Sequence, residues 1–104
     1  MKNIIWSDYI QYRVKLRGFN LDKIEEILRF STERYYDTET NRLIAVGKHE
    51  QTLVIIPYDD YNDNIEPITI HATSRQQIKF RLQGKRTHFF TLKRRRANVW
   101  EKQN

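Results

Sequence analysis

The residues able to do chemistry gather at the ends of predicted strands. In the stretch ITIHATSRQQI, residues 68–78, His71 stands at the last position of an apolar strand. Arg75 follows it at the start of a polar run that reads as a helix. Arg42 opens an earlier strand, Lys48 and His49 close it, and Tyr58 closes the next. Cations beside a group that titrates near neutrality are what metal-independent cleavage of RNA requires. A 2′-hydroxyl attacks the neighbouring phosphodiester, a base takes its proton, an acid protonates the leaving oxygen, and fixed cations stabilise charge on the phosphorane. Histidine serves as acid or base near pH 7, and arginine offers planar bidentate donors to phosphate. His71, Arg75, Arg42 and Tyr58 are therefore the candidate catalytic residues. The plain alternative for a strand-end histidine is a solvated or capping side chain. Tyr35 and Tyr36 read as packing residues in a strand.

Other chemistries are disfavoured. The three glycines stand apart at 18, 47 and 84, so there is no glycine-rich phosphate loop. His49, His71 and His88 lack zinc-site spacing, and the chain has no cysteine. The acidic run DDYNDN, residues 59–64, lacks the central glycine and terminal glutamate of a calcium loop. No metal or cofactor is expected. No apolar run reaches the length of a membrane span, and the N-terminus MKNIIWSDYI does not read as a signal peptide. With no disulfide framework, a cytoplasmic location is the expectation.

The 104 residues imply one domain, and 38% apolar content supports a thin core such as a sheet with helices on one face. The net charge of +6 is unevenly spread. Residues 1–74 hold nine Lys/Arg against twelve Asp/Glu, whereas residues 75–104 hold ten Lys/Arg against Glu101 alone. Such asymmetry points to a nucleic acid or an acidic partner. Lys15, Arg17, Lys48, Lys79, Arg86, Arg94, Arg95 and Arg96 are the candidate RNA-backbone contacts. The bland reading of KRRR, residues 93–96, is a solvated basic tail.

These residues need elements to position them. NIIW reads as a short edge strand. Ser7 caps a first helix that stops at Gly18, and Asn20 caps a second, LDKIEEILRF, whose Leu21, Ile24, Ile27 and Leu28 form one apolar face. The period then changes. RYYDTETNRLIAV predicts two strands around a turn at TETN, and TLVIIPY a third strand, in which Pro57 must end or bulge the ladder. DDYNDN is expected to be a loop and EPITIHA a fourth strand. Thr73 or Ser74 then caps a third helix, RQQIKFRLQ, with Ile78 and Leu82 facing inward. HFFTL is a further candidate strand within a basic tail. The fold class is α+β: an N-terminal helical hairpin on an antiparallel sheet of four or more strands, then a third helix. The domain is expected over residues 1–86, with residues 87–104 as the tail.

The words IIWSDYIQYRVKLRGFNLDKIEEIL, TNRLIAVGKHEQTLVIIPYDD and ITIHATSRQQIKFRL resemble the BrnT-like toxins of bacterial toxin–antitoxin pairs, within the RelE-like superfamily. The likeness covers residues 3 to about 86, and its most specific pieces are WSD, RGF and RLIAVG. Arg17 stands where such chains usually have histidine, and HAT stands where they have a serine–alanine–arginine word. The resemblance implies an endoribonuclease that inhibits translation. It also implies a cognate antitoxin protein that neutralises the toxin and assembles with it into an oligomer. The competing class is a non-enzymatic RNA- or protein-binding module of the same fold. DNA binding through residues 93–96 ranks last, because no helix-turn-helix is evident.

Overall fold

The computed structural model describes residues 2–83 and 89–92. In order, the elements are β1 (Asn3–Ile4), α1 (Asp8–Leu16), α2 (Leu21–Phe30), β2 (Glu33–Asp37) and β3 (Arg42–His49). There follow β4 (Thr52–Asp60), β5 (Asn64–Pro67), β6 (His71–Ala72), α3 (Arg75–Leu82) and β7 (Phe89–Thr91). The fold is α+β, with three helices and a mixed seven-stranded sheet among the described residues. No described helix is long and apolar enough to cross a membrane.

The helix starts follow from side chains that satisfy free amides. The Ser7 hydroxyl accepts from the Ile10 amide, and Ser74 accepts from Gln77. The Asn20 carbonyl oxygen accepts from Asp22 and Lys23. Each such cap contributes about 1 kcal/mol. The first helix ends as expected, with Gly18 in the left-handed region at φ 73°. Asn20 also donates its own amide to Nε2 of His49 at 2.9 Å, and Phe19 meets that buried imidazole edge-on. The start of α2 is thereby tied to the end of β3.

The turn at residues 38–41 joins β2 to β3, with Asp37 opposite Arg42. Residues 50–51 join β3 to β4, with His49 opposite Thr52. The sheet departs from the expected antiparallel form at one margin, where β1 runs parallel to β5. The acidic run 59–64 also differs from the expected loop. The fourth strand continues to Asp60, and only residues 61–63 turn before β5. Cations make this possible. Arg42 lies 3.1 Å from Asp59, and Lys2 pairs with Asp60.

The predicted fourth strand is real but split in two. Tyr58 faces Pro67 and Ile55 faces His71, so residues 56–57 of β4 stand opposite three residues, 68–70. One extra residue makes a bulge. Pro57 explains its position. Its carbonyl accepts from the Ile68 amide at 2.8 Å, so its missing N–H lies on this same side of β4. The ladder recovers with β6, and Thr73 donates to the Leu53 carbonyl at 2.9 Å.

Strand alternation gives the sheet two apolar faces rather than the single covered face expected from composition. Ala45, Val54, Ile56 and Tyr58 pack with Ile10, Val14, Ile24, Ile27 and Leu28 of the first two helices. Ile44, Val46, Ile55 and Tyr35 pack on the other face with Ile78 and Phe89. Phe89 is 1% exposed and β7 pairs with β2, so the folded unit continues past the expected boundary at residue 86.

Gly47 faces the helical hairpin where contact is tightest: an added Cβ would lie 2.8 Å from Cγ1 and Cγ2 of Ile27. Gly47→Ala should destabilise the fold by about 1–3 kcal/mol, as overpacking does. Urea unfolding followed by Trp6 fluorescence would measure it, and adding Ile27→Ala should recover part of the loss. A wild-type midpoint for Gly47→Ala would show that α2 is not seated on this strand.

Candidate functional site

The short strand β6 places His71. Being opposite Ile55, His71 projects toward the α3 side of the sheet, while Ile70 is buried among the hairpin residues. Strand alternation thus anchors one residue and presents the next. His71 is half-buried, and its ring nitrogens make no hydrogen bond among the described residues. It lines a cleft of about 840 Å³ with Ser74, Gln77, Phe80 and Arg81. It also lines a second of about 230 Å³ with Arg42, Arg81 and Phe89.

The electrostatics of this place are unusual for a histidine. Burial lowers the His71 pKa, and the charges of Arg13, Arg17 and Arg81 lower it further. The imidazole is therefore neutral at pH 7 and able to take a proton. Arg81 holds its guanidinium 5.1 Å from the Phe89 ring centroid, and its N–H groups have no hydrogen-bonding partner among the described residues. Arg13 lies 5.9 Å from the Tyr9 ring centroid, and its buried Nε has no partner among the described residues. Three arginine charges within electrostatic range of a neutral imidazole make a field that favours an anion, and of the three Arg81 alone lines the clefts. Carboxylates stand here as well: Glu39 lines both clefts and Asp37 the smaller one, where its oxygens accept from the Glu39 amide and the Thr40 hydroxyl, while Asp59 is paired with Arg42.

The other expected catalytic residues are not all brought here. Arg75 turns away from His71, and its Nη1 donates to both Glu33 oxygens, at 2.8 and 2.7 Å. That pair sits in a separate groove with Lys48, and the Arg75 side chain is 68% exposed. An exposed pair of this kind contributes about 0–1 kcal/mol. Burial raises the Glu33 pKa, but the hydrogen bonds from Arg75 and Tyr35 outweigh it and the net shift is downward. Burial and the Glu33 bond push Tyr35 up to about 12, so it is no proton donor near neutrality. The expected phosphate rim of His71 with Arg75 is thus not assembled, and Arg81 takes the place next to His71. Tyr58 is 4% exposed on the hairpin face, and its hydroxyl accepts from Arg34 at 2.9 Å. It cannot reach the cleft. Arg42 does share the smaller cleft with His71, but its Nε is committed to Asp59.

Of the expected RNA contacts, Lys15, Arg17, Lys48 and Lys79 are exposed and form no ion pair among the described residues. Arg17 lies within electrostatic reach of His71, whereas Lys48 borders the Arg75 groove. Arg86, Arg94, Arg95 and Arg96 lie outside the described residues.

Arg81 and Arg13 were missed in the sequence. Arg81 had a legible signal: it lies three residues after Ile78 and immediately before Leu82, hence beside the inward face of α3. Arg13 had none, because its value depends on where α1 lies relative to β6. Comparison with protein-family models, curated proteins and solved structures produced no match to the chain.

In an NMR titration, His71 should show a midpoint below its ordinary value of 6.5, and Arg81→Gln should raise it. The sign for stability follows. A folded-state pKa below the unfolded one stabilises the fold above about pH 6.5, and this contribution is lost as pH falls through the lower folded value. His71→Gln should remove that part of the pH dependence of unfolding. A midpoint at or above 6.5 would contradict the convergence of cations on this ring.

Proposed function

We propose that the chain is an endoribonuclease acting at the His71 cleft without a metal, and that it serves as a BrnT-like toxin restrained by a cognate antitoxin. The observation that carries this reading is a half-buried imidazole that lines the cleft with Arg81, its nitrogens unbonded among the described residues and its pKa lowered by burial and by the charges of Arg13, Arg17 and Arg81. The order of hairpin, sheet and third helix is the α+β order expected from the sequence. The apolar stripe of Tyr9, Tyr12 and Leu16 on α1 is 54–60% exposed and gives a protein partner a surface to cover.

The chemistry uses few groups. Arg81 holds the scissile phosphate, since a planar guanidinium matches two phosphate oxygens. His71 takes the proton of the 2′-hydroxyl as that oxygen bonds to phosphorus. The bond from phosphorus to the 5′-oxygen breaks, and the leaving oxygen is protonated from solvent at the open mouth of the cleft. The products are a 2′,3′-cyclic phosphate and a 5′-hydroxyl. His71 then returns its proton to solvent. Arg13 and Arg17 add attraction for the backbone on either side.

One observation favours the non-enzymatic alternative: with Tyr58 buried and Arg75 paired, the cleft holds a single group that titrates near neutrality among the described residues. The test separates the two readings. Purified protein with an unstructured RNA oligonucleotide should yield cyclic-phosphate ends and should do so in EDTA. His71→Ala should abolish cleavage while binding persists. Arg81→Ala should weaken binding by about tenfold or more, since a hydrogen bond to a charged group contributes about 1.5–3 kcal/mol. Arg75→Ala should cleave normally. RNA bound tightly but left intact would replace the endoribonuclease with a binding module. Full cleavage by His71→Ala would move the reaction to another site.

A further inference from the structure

We propose that Phe80 is a stacking platform for one unpaired base, so that the His71 cleft takes its RNA only as a single strand. This rests on the reading of that cleft as an RNA site and names the form of RNA it admits. Phe80 is 79% exposed, more than any other described large hydrophobic side chain. It is also the one among those exposed side chains that lines the cleft holding His71 and Arg81. Phe30, by contrast, borders the separate Arg75 groove.

Helical spacing joins the parts. Gln77 lies three residues before Phe80 and four before Arg81, so the three side chains are neighbours on one flank of α3. Thr73 donates its hydroxyl to Oε1 of Gln77 at 3.1 Å. The Gln77 amide nitrogen is left as the donor, two N–H groups that can meet the oxygen or ring nitrogen of a base edge. A phosphate on Arg81 thus has an aromatic face and an amide donor within one turn of helix. Base-on-aromatic stacking is sequence-tolerant, because every base has a π-face. An A-form duplex keeps its bases stacked on one another and its narrow major groove closed to side chains. It therefore cannot give a base to Phe80 while its phosphate reaches Arg81.

The test uses the full chain and a fluorescent 2′-O-methyl RNA oligonucleotide, which cannot be cleaved through the 2′-oxygen. The same sequence is presented unpaired and as a blunt duplex. Phe80→Ala should bind the single strand about tenfold more weakly, the loss expected for one stacked base. Duplex binding should be unchanged, and Phe80→Trp should match the wild type. The platform is overturned if Phe80→Ala binds the single strand like the wild type. It is equally overturned if affinity falls alike for both forms, or if Phe80→Trp is as weak as Phe80→Ala. Unmodified RNA separates this proposal from the cleavage reading. Wild-type protein that binds with the Phe80 signature but never cleaves upholds the platform and sinks the endoribonuclease. Cleavage with an unchanged KM in Phe80→Ala does the reverse. No binding of either RNA form sinks both.

Discussion

Pro57 has no amide hydrogen to give to the strand beside it, and the side on which it is missing is fixed by its carbonyl, which accepts from Ile68. The sheet absorbs the defect with one extra residue across from positions 56–57, and pairing resumes at His71 opposite Ile55. Side chains in a strand alternate between faces, so an inserted residue reverses which ones point to which side. Without the bulge, continued pairing from Pro67 opposite Tyr58 would put Ile70, not His71, across from Ile55. Ile70 is instead sealed in the hairpin core and His71 faces the cleft. The position of the one cleft group that titrates near neutrality is thus a consequence of an absent hydrogen bond two strand positions away.

The cations around His71 are a cost to the fold only below about pH 6.5, where an unfolded chain would protonate the imidazole. Burying imidazole near like charges disfavours its protonated form, and each unit of pKa shift corresponds to about 1.36 kcal/mol of differential interaction. Among the described residues, Arg13 keeps a buried Nε without a partner, and Arg81 has an aromatic ring beside it and no carboxylate bonded to it. Other arginines are paired at the surface, Arg29 with Glu25, Arg42 with Asp59 and Arg75 with Glu33, whereas exposed lysines such as Lys15, Lys48 and Lys79 form no ion pair among the described residues. What distinguishes the neighbourhood of β6 is that its Arg13 and Arg81 are partly buried. Local departures from satisfied electrostatics are where functional sites concentrate.

Much of the architecture was written in local signals. Ser7, Asn20 and Ser74 announce the helix starts by their ability to accept from free amides, and that ability does not depend on the tertiary fold. The period change after Phe30 marks the first strand of the β-rich part, and Pro57 marks the interrupted ladder. What stayed hidden depends on partners distant in sequence. Nothing in NIIW tells that β1 will run parallel to β5. DDYNDN looks like a loop until Arg42 and Lys2 arrive to neutralise it. Of the two residues at the strand-to-helix corner, His71 lines the cleft and Arg75 does not. The latter shares a corner with His71 in sequence, but Glu33, forty-two residues earlier, draws its guanidinium to another groove. Arginine side chains are long enough that position along a helix leaves their destination open.

The pairing of β7 with β2 has a consequence for the order in which the molecule can be completed. The hairpin-side core draws on residues up to Ile70, while the opposite core also needs Ile78 and Phe89. Phe89 reaches its place only by closing a loop back to Asp37. A chain synthesised from its N-terminus, at about 5–20 residues per second, therefore gains the scaffold first and the wall of the cleft last. The long-range closure also carries the larger entropic cost, since loop closure grows more costly with the length enclosed. A chain that stops short of Phe89 has His71 but lacks one wall of the smaller cleft.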